Sequence, residues 1–484
     1  MTYLRMNIRL VTFPVTTDDS IEPILNVNLI MYYKNNKYVR CPITFDENLI
    51  GKPYPVIKSI GDKFKTRNVI KEDPYFHIAN FENSCNGEGP STNDPDNGLE
   101  AIANANNLYK ANIDCAKNVK WKDSVQKGRL NDLRETRALQ KEIRTGKYKQ
   151  HKPNEFILNE RGKTRLIKSN FFRDRVVQKS LNDNVLFPAL ENKLIYDNSA
   201  SRIDKGLDHA RRRFKYHLQS AYQKWGYDCF VLSIDFTKYF DNIVHKILLN
   251  QFKDTLTIEQ VNFIRDRLKE FEVDVSYMSD EEYASCLQSI YNSLDYNKID
   301  KSLLTGKKFM AKSMGIGSQT SQISGLYYPH EVDNYCKIVR GIKEYGRYMD
   351  DIYIILPTKE ELQDLLNNHI IPLCNKLGIH INEKKTHITQ LKYPISFLKL
   401  NYIVEESGRI IVKIHSSTLH RERKRLYKFK RLLNSKRMSE LDILNCYKGW
   451  RGTYRKFDSG YEIFKMDKLF ISIFPQFNFN SIKE

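Results

Sequence analysis

The chain has 484 residues, 41% hydrophobic and 12% aromatic, with 78 Lys and Arg against 58 Asp and Glu, a net charge of +20. That apolar content excludes a wholly disordered chain, and at roughly 150 residues per domain the length suggests two or three structural units. The charge points to a polyanionic partner, nucleic acid before an acidic membrane surface. No apolar run approaches the ~18–20 residues that span a bilayer, so no membrane partner is expected. Met1–Pro14 lacks the apolar stretch of a secretory signal. The eight Cys include no Cys-x-x-Cys pair, which argues against a zinc ribbon. They read as reduced packing residues of an intracellular, cytoplasmic protein.

Residues 1–100 hold 11 Lys and Arg against 13 Asp and Glu, so the basic surface should lie beyond them. Within them, Ile24–Thr44 alternates through Val27, Leu29, Met31 and Tyr33, and Asn35-Asn36 reads as a hairpin turn. Residues 1–85 are expected to be an N-terminal module of unassigned role, and 86–98 a polar linker. Leu99–Tyr148 reads as helical and basic, with Leu130, Leu133, Leu139 and Ile143 at three- and four-residue spacings. Phe230–Ile234 reads as a buried strand with Asp235 directly after it. A carboxylate at the end of a buried strand is costly unless it has a partner or a task. Gln251–Met310 reads as a helical elaboration, open to RNA or to another subunit. Tyr345–Tyr348 and Ile352–Leu356 then flank Asp350-Asp351 as two strands flank a hairpin turn.

An Asp-Asp pair alone is most often a solvated turn. Here a strand-end Asp, a Gly-rich loop with a helix, and an aromatic-x-Asp-Asp hairpin follow one another. Acids converging from two strands repel and form an oxygen-rich site suited to Mg²⁺. Two such ions, ~3.5–4 Å apart, can activate a hydroxyl and stabilise departing pyrophosphate.

Asp235-Phe236-Thr237-Lys238-Tyr239-Phe240-Asp241-Asn242-Ile243 resembles the first catalytic motif of bacterial reverse transcriptases, and Tyr348-Met349-Asp350-Asp351 their catalytic hairpin. The resemblance spans roughly residues 100 to 475. It implies that Asp235, Asp350 and Asp351 are catalytic, with Asp235 and Asp350 the stronger metal ligands. Phe240 falls where the family places the residue that excludes a ribose 2′-OH, and Phe236 beside it joins the nucleotide site. Lys163-Thr164-Arg165-Leu166-Ile167 resembles the finger motif, with Lys163 and Arg165 on the triphosphate. Tyr196–Gly206 resembles the next block, in which Arg202 would touch the template strand or the triphosphate. A surface role and a phosphate role are about even for the following Arg211-Arg212-Arg213.

Met314–Gln322 resembles the Gly-rich loop. Gly315 and Gly317 would allow close approach to a nucleotide, and Gln322 would contact it. Ile316 stands where the common pattern has Gln. The Ile-Gly-x-x-x-Ser-Gln form is similar to diversity-generating retroelement enzymes and to related groups linked to phage defence. Asn382–Thr386 resembles the later palm motif, with Lys385 placed to protonate pyrophosphate. Phe397-Leu398-Lys399-Leu400 looks like the primer grip, with Lys399 in place of Gly. Beyond it, Arg421, Arg423, Lys424, Arg425, Lys428, Lys430 and Arg431 crowd one helical stretch suited to a duplex backbone. Tyr447-Lys448-Gly449-Trp450 resembles the last thumb helices of the same groups.

The implied fold is α+β: a right-hand polymerase with helical fingers, an antiparallel-sheet palm and a helical thumb. The expected divisions are 99–230 for fingers, 231–400 for palm and 401–484 for primer grip and thumb. The implied activity is RNA-directed DNA synthesis with dNTPs and Mg²⁺, Mn²⁺ being the substitute ion. The template would be a cognate structured RNA, in phage defence, with a homo-oligomer left open. Alternatives are a diversity-generating retroelement enzyme, a template-independent or protein-primed DNA polymerase, and an RNA-binding scaffold without catalysis.

Overall fold

The computed structural model describes residues 9–10, 27–32, 38–45, 57–60, 98–160, 162–296 and 298–483. The chain divides into two compact units, Met1–Pro95 and Asp96–Glu484. In the first, four strands form an antiparallel sheet: β1 (Arg9–Leu10), β2 (Val27–Tyr32), β3 (Tyr38–Phe45) and β4 (Ile57–Ile60), in that order. β2 and β3 pair from Val27↔Ile43 to Tyr32↔Tyr38. The expected turn at Asn35-Asn36 and nearly all of the expected linker lie outside the described residues.

The second unit is α+β and is built as the fingers, palm and thumb of a right-hand polymerase. Its finger helices include Ala105–Ala116, Asp132–Arg144 and Phe172–Leu181. Asn104 starts the first by accepting the amides of Asn106 and Asn107. Leu139 and Ile143, four residues apart, face the core with Leu108, Val177 and Leu181. Leu130 and Leu133 do not join this stripe. The helix breaks at Asn131, leaving them 82% and 66% exposed on either side. A hairpin of β5 (Asn154–Glu160) and β6 (Lys163–Ser169) projects from the helices.

The palm sheet has the order β10 (Tyr345–Tyr348), β11 (Asp351–Leu356), β7 (Phe230–Asp235), β12 (His387–Gln390), every pair antiparallel. Residue alternation divides its two faces. Leu232, Ile234, Ile352 and Ile354 enter the main core shared with the fingers. Val231, Tyr353 and Ile355 enter a second core, with Phe214 of the Leu207–Trp225 helix and the sheet β13 (Ile395–Phe397), β14 (Leu400–Val404), β15 (Ile410–Ile414). Buried on both faces, the strands read as continuous apolar runs.

The 251–310 stretch is helical at Ile258–Leu268 and Asp280–Gln288, with a short ribbon of β8 (Val273–Asp274) and β9 (Phe309–Met310). Buried Lys312 ties it to the palm, its Nζ donating to the carbonyls of Leu287 (3.2 Å) and Ser289 (2.8 Å) at a helix end. The thumb helices Ser416–Asn434, Glu440–Tyr454 and Gly460–Ile473 pack around Leu426, Phe429, Tyr447, Trp450 and Phe470. No helix among the described residues is long and apolar enough to cross a membrane.

Candidate active site

The three acids expected to act together meet at one end of the palm sheet. Asp235 ends β7 and Asp351 begins β11, and the two are register partners. Tyr348 pairs with Asp351, so Met349-Asp350 is a two-residue turn, with Met349 at φ +58°. A side chain in that left-handed region costs ~1–2 kcal/mol and needs support from its surroundings.

The support is Arg347, a fully buried residue absent from the sequence expectations. Its Nε donates to both oxygens of Asp333 (2.8 and 3.0 Å) and its Nη2 to Asp333 (2.6 Å) and to the Leu326 carbonyl (2.7 Å). Its Nη1 reaches the Met349 carbonyl at 3.0 Å, within the turn that carries Asp350. The Tyr345 hydroxyl donates to the same Asp333 at 2.6 Å. The sequence carried one signal for this: an Arg inside an otherwise apolar strand must find a counter-charge.

Asp235 faces residues 380–386. Asn382 donates its amide to the Asp235 carbonyl (2.8 Å), and Lys385 Nζ lies 2.6 Å from the Asp235 carboxylate. Burial, then the charge on Asp235, raises the pKa of Asp350. Burial, then the charges on Asp350 and Asp235, pushes Asp351 up to about 7, against the pull of Lys385 and Lys163. Carboxylates gathered at one end of a sheet offer the oxygen donors that suit a hard divalent cation. Among the described residues, no group of three or more His, Cys, Asp or Glu is closed into a metal-holding cluster. Lys385 is the present counter-ion of Asp235.

A cleft of about 600 Å³ opens over Asp235 and Asp350, with Asp351 outside its lining. Asp235, Asp350 and Lys385 line one side, and Lys163 and Arg165 of the finger hairpin line another. Phe240 also lines it. The Phe240 ring rests on Gly325 of the Gln319–Tyr327 helix so closely that a Cβ there would come within 2.8 Å of it. Gly325 is thus a second residue that the sequence reading missed; a glycine inside a helix was its sign. Phe236 lines the cleft as well, its ring buried beside that of Tyr239 at 5.4 Å.

Other residues stand elsewhere than expected. Gly315 and Gly317 let the loop pack closely on the 251–310 stretch and on the finger hairpin. A Cβ on Gly315 would strike the Phe271 ring at 2.3 Å, and one on Gly317, at φ +119°, would meet the Lys168 carbonyl at 3.3 Å. The loop is stitched to β6 by the Ile167↔Ile316 bridge, with the Lys168 amide donating to the Ile316 carbonyl at 3.2 Å. Gly317 and Gln322 lie outside the cleft lining, which Ile316 joins. Arg202 needs correction too. Its side chain is 5% exposed and bound to Glu191 and to the carbonyls of Ile195 (2.6 Å) and Asn198 (2.9 Å), which engages four of its five N–H donors within the protein. Its block also braces the hairpin that carries Asp350, Asn198 bridging Arg347 of β10.

The thumb cations share the Ser416–Asn434 helix. Arg423, Lys424, Lys428 and Arg431 are exposed, while Arg421, Arg425 and Lys430 are half-buried. Arg425 pairs with buried Glu422 at 2.7 Å. Arg421, Lys424, Arg425 and Lys428 line a second cleft of about 360 Å³ with Lys399. Lys399 belongs to the two-residue turn Leu398-Lys399 between Phe397 and Leu400, with φ +47° and +66°. Paired positive φ values are those of a type I′ hairpin, which Lys adopts here in place of Gly. Tyr447 and Trp450 stack inside the thumb core rather than on its surface.

Residues 150–402, more than half of the chain, match the family described as reverse transcriptase (RNA-dependent DNA polymerase). The chain belongs to that family. No curated protein matches the sequence. Among solved structures it is similar to the telomerase of Candida albicans in complex with a TWJ fragment of telomeric RNA, at 12% identity and a TM-score of 0.38. That match covers 68% of this chain and 54% of the other. It is also similar to the apo telomerase of Candida tropicalis, at 14% identity and a TM-score of 0.33, covering 52% and 47%. The match thus spans about half the length of each.

Proposed function

We propose that the protein is a Mg²⁺-dependent RNA-directed DNA polymerase whose catalytic acids are Asp235, Asp350 and Asp351. The observation that carries this is the register of Asp351 on Asp235, with Asp350 in the adjoining turn and Lys163 and Arg165 on another wall of the same cleft. Asp235, Asp350 and Asp351 would hold the cations, which when bound activate the primer hydroxyl and neutralise charge on the phosphates.

This chain's own residues supply the rest. Lys163 and Arg165 bind the triphosphate, because charge-assisted contacts from a mobile ammonium and a planar guanidinium suit phosphate oxygens. The Phe240 ring, backed by Gly325, leaves no space for a 2′-hydroxyl. Lys385, paired with Asp235 in the absence of cations, is placed to give its proton to pyrophosphate once that pairing is relieved. The exposed thumb cations follow the duplex backbone. The matching division of the chain is fingers at 99–230, palm at 231–400, and grip and thumb beyond.

Replacing Asp350 and Asp351 together by Ala should abolish dNTP incorporation on a primed RNA and leave RNA retention largely intact. Continued extension by that variant would remove the assignment. We further propose a cytoplasmic role in phage defence, copying one structured RNA. What supports it is the similarity of Ile316–Gln322 and of the Tyr447–Trp450 segment to enzymes of that kind. Sequencing the RNA and DNA that copurify with the protein tests it; a mixed population of templates would count against a cognate RNA.

A further inference from the structure

We propose that the seam between the Leu207–Trp225 helix and the primer-grip and thumb segment holds a phosphoryl-binding cleft distinct from the carboxylate cleft. It has a volume of about 340 Å³. Arg211, Arg212 and Lys215 of the Leu207–Trp225 helix line it with Tyr402 of β14, and Lys456 enters from the connection between two thumb helices.

Two polar groups at this cleft have hydrogens to give and no acceptor. Tyr402 is 1% exposed, and its hydroxyl has no hydrogen-bond partner. Arg211 is 6% exposed, and its Nε likewise has none. Its Nη2 donates to the Leu398 carbonyl at 2.9 Å, its Nη1 lies 3.8 Å from Asp208, and the Phe457 ring lies 5.4 Å from the guanidinium carbon. A buried donor without an acceptor is destabilising, so two in one cleft call for an oxygen-rich visitor.

The charges select that visitor. Both carboxylates of the lining are already engaged. Lys456 holds Asp208 at 2.6 Å, and Asp458 accepts the Val412 amide at 2.9 Å. Arg212 and Lys215 are exposed and have no ion pair among the described residues. Water carries no charge to offset the two free cations. A phosphoryl group satisfies both, since it brings several acceptor oxygens and negative charge together. Through Arg211 and the Leu398 carbonyl, an anion there is linked to the primer-grip turn, and through Lys456 to the thumb. It would hold one against the other. The phosphoryl group has two possible sources, a nucleic-acid backbone or a free polyphosphate.

The test uses the full chain in EDTA, as wild type, Tyr402→Phe and Arg212→Ala/Lys215→Ala. Tyr402→Phe removes a hydroxyl that bonds nothing in the protein, so the fold is retained; circular dichroism verifies this. One arm follows thermal unfolding with sodium pyrophosphate against sodium chloride of equal ionic strength. The other measures binding of a labelled RNA–DNA duplex. A pyrophosphate-induced rise in Tm that both variants lose identifies a free polyphosphate. An about tenfold loss of duplex affinity in both variants, with pyrophosphate inert, identifies a strand phosphate. Variants that match wild type in both arms overturn the proposal. So does a loss confined to Arg212→Ala/Lys215→Ala, which is only surface attraction.

Discussion

Replacing Arg347 by Met while Asp333 stays should separate what holds the fold from what aims the chemistry. Arg347 makes five hydrogen bonds, three of them to Asp333. Its side chain is 0% exposed and that of Asp333 1%. Removing one partner of such a pair leaves a buried charge without compensation, at a cost of ~3–5 kcal/mol. Against a typical total of ~5–15 kcal/mol, the variant stays mostly folded but with a clearly lower urea midpoint. It also frees the Met349 carbonyl, so the left-handed turn presenting Asp350 loses its pin. Primer extension should therefore fall even where the variant is folded, with RNA binding unchanged.

The double variant Asp333→Asn/Arg347→Met discriminates further. Both buried charges are gone, and an oxygen remains for the Tyr345 hydroxyl, so stability should recover by most of the loss. Activity should not, because nothing new holds Met349. A loss below ~1 kcal/mol in the single variant would refute the buried-pair argument. Recovery of extension along with stability in the double variant would refute the positioning argument.

Phe240→Ala should raise incorporation of ribonucleotides relative to deoxynucleotides by ~10–100-fold, measured by competitive extension; an unchanged ratio would remove the ring from sugar selection. Substituting Lys424, Lys428 and Arg431 together by Ala should lower the slope of log affinity against log salt by about one for each phosphate no longer neutralised, and an unaltered slope would move the duplex off this helix. His217 gives a pH test. Burial holds its imidazole down to about 4, with Asp197 pulling it up and Lys337 and Arg213 pushing it down. Nη2 of Arg213 lies 3.0 Å from its Nε2, so the ring is neutral there and Nδ1–H faces the Tyr353 hydroxyl at 2.9 Å. The unfolded chain takes up this proton near pH 6.5, so stability is full above that and falls by ~3 kcal/mol as pH drops towards 4. His217→Gln should remove that part of the acid sensitivity in urea titrations, and identical pH profiles would contradict the assignment.

How far the sequence could be read follows from which interactions are local. The three acids were legible because strand, turn and carboxylate lie within a few residues of one another, and β-pairing then carries Asp351 to Asp235. The break at Asn131 was not, since Leu130 and Leu133 keep helical spacing across it. Arg202 was not legible because sequence shows that an Arg is present but not whether its donors are already taken, and Glu191, Ile195 and Asn198 together take most of them. The loop glycines misled in a similar way. Their need for space was readable, but not that Phe271 and Lys168 are the protein neighbours that take it.

These misplacements share a consequence. Gly315, Gly317, Arg202 and Asn198 all join neighbouring segments to the loop or the hairpin beside the acids. The finger hairpin is stitched to the loop through Ile316, and the Tyr196–Gly206 block to the hairpin through Arg347. A substitution at either junction moves a cleft wall without touching a cleft side chain. Gly317→Ala illustrates this: at φ +119° and 3.3 Å from the Lys168 carbonyl it should displace β6, and with it Lys163 and Arg165. The expected sign is a KM for dNTP raised more than kcat is lowered, because the triphosphate grip moves while the acids do not. A fall in kcat at unchanged KM would show that the loop acts on the acids and not through the fingers.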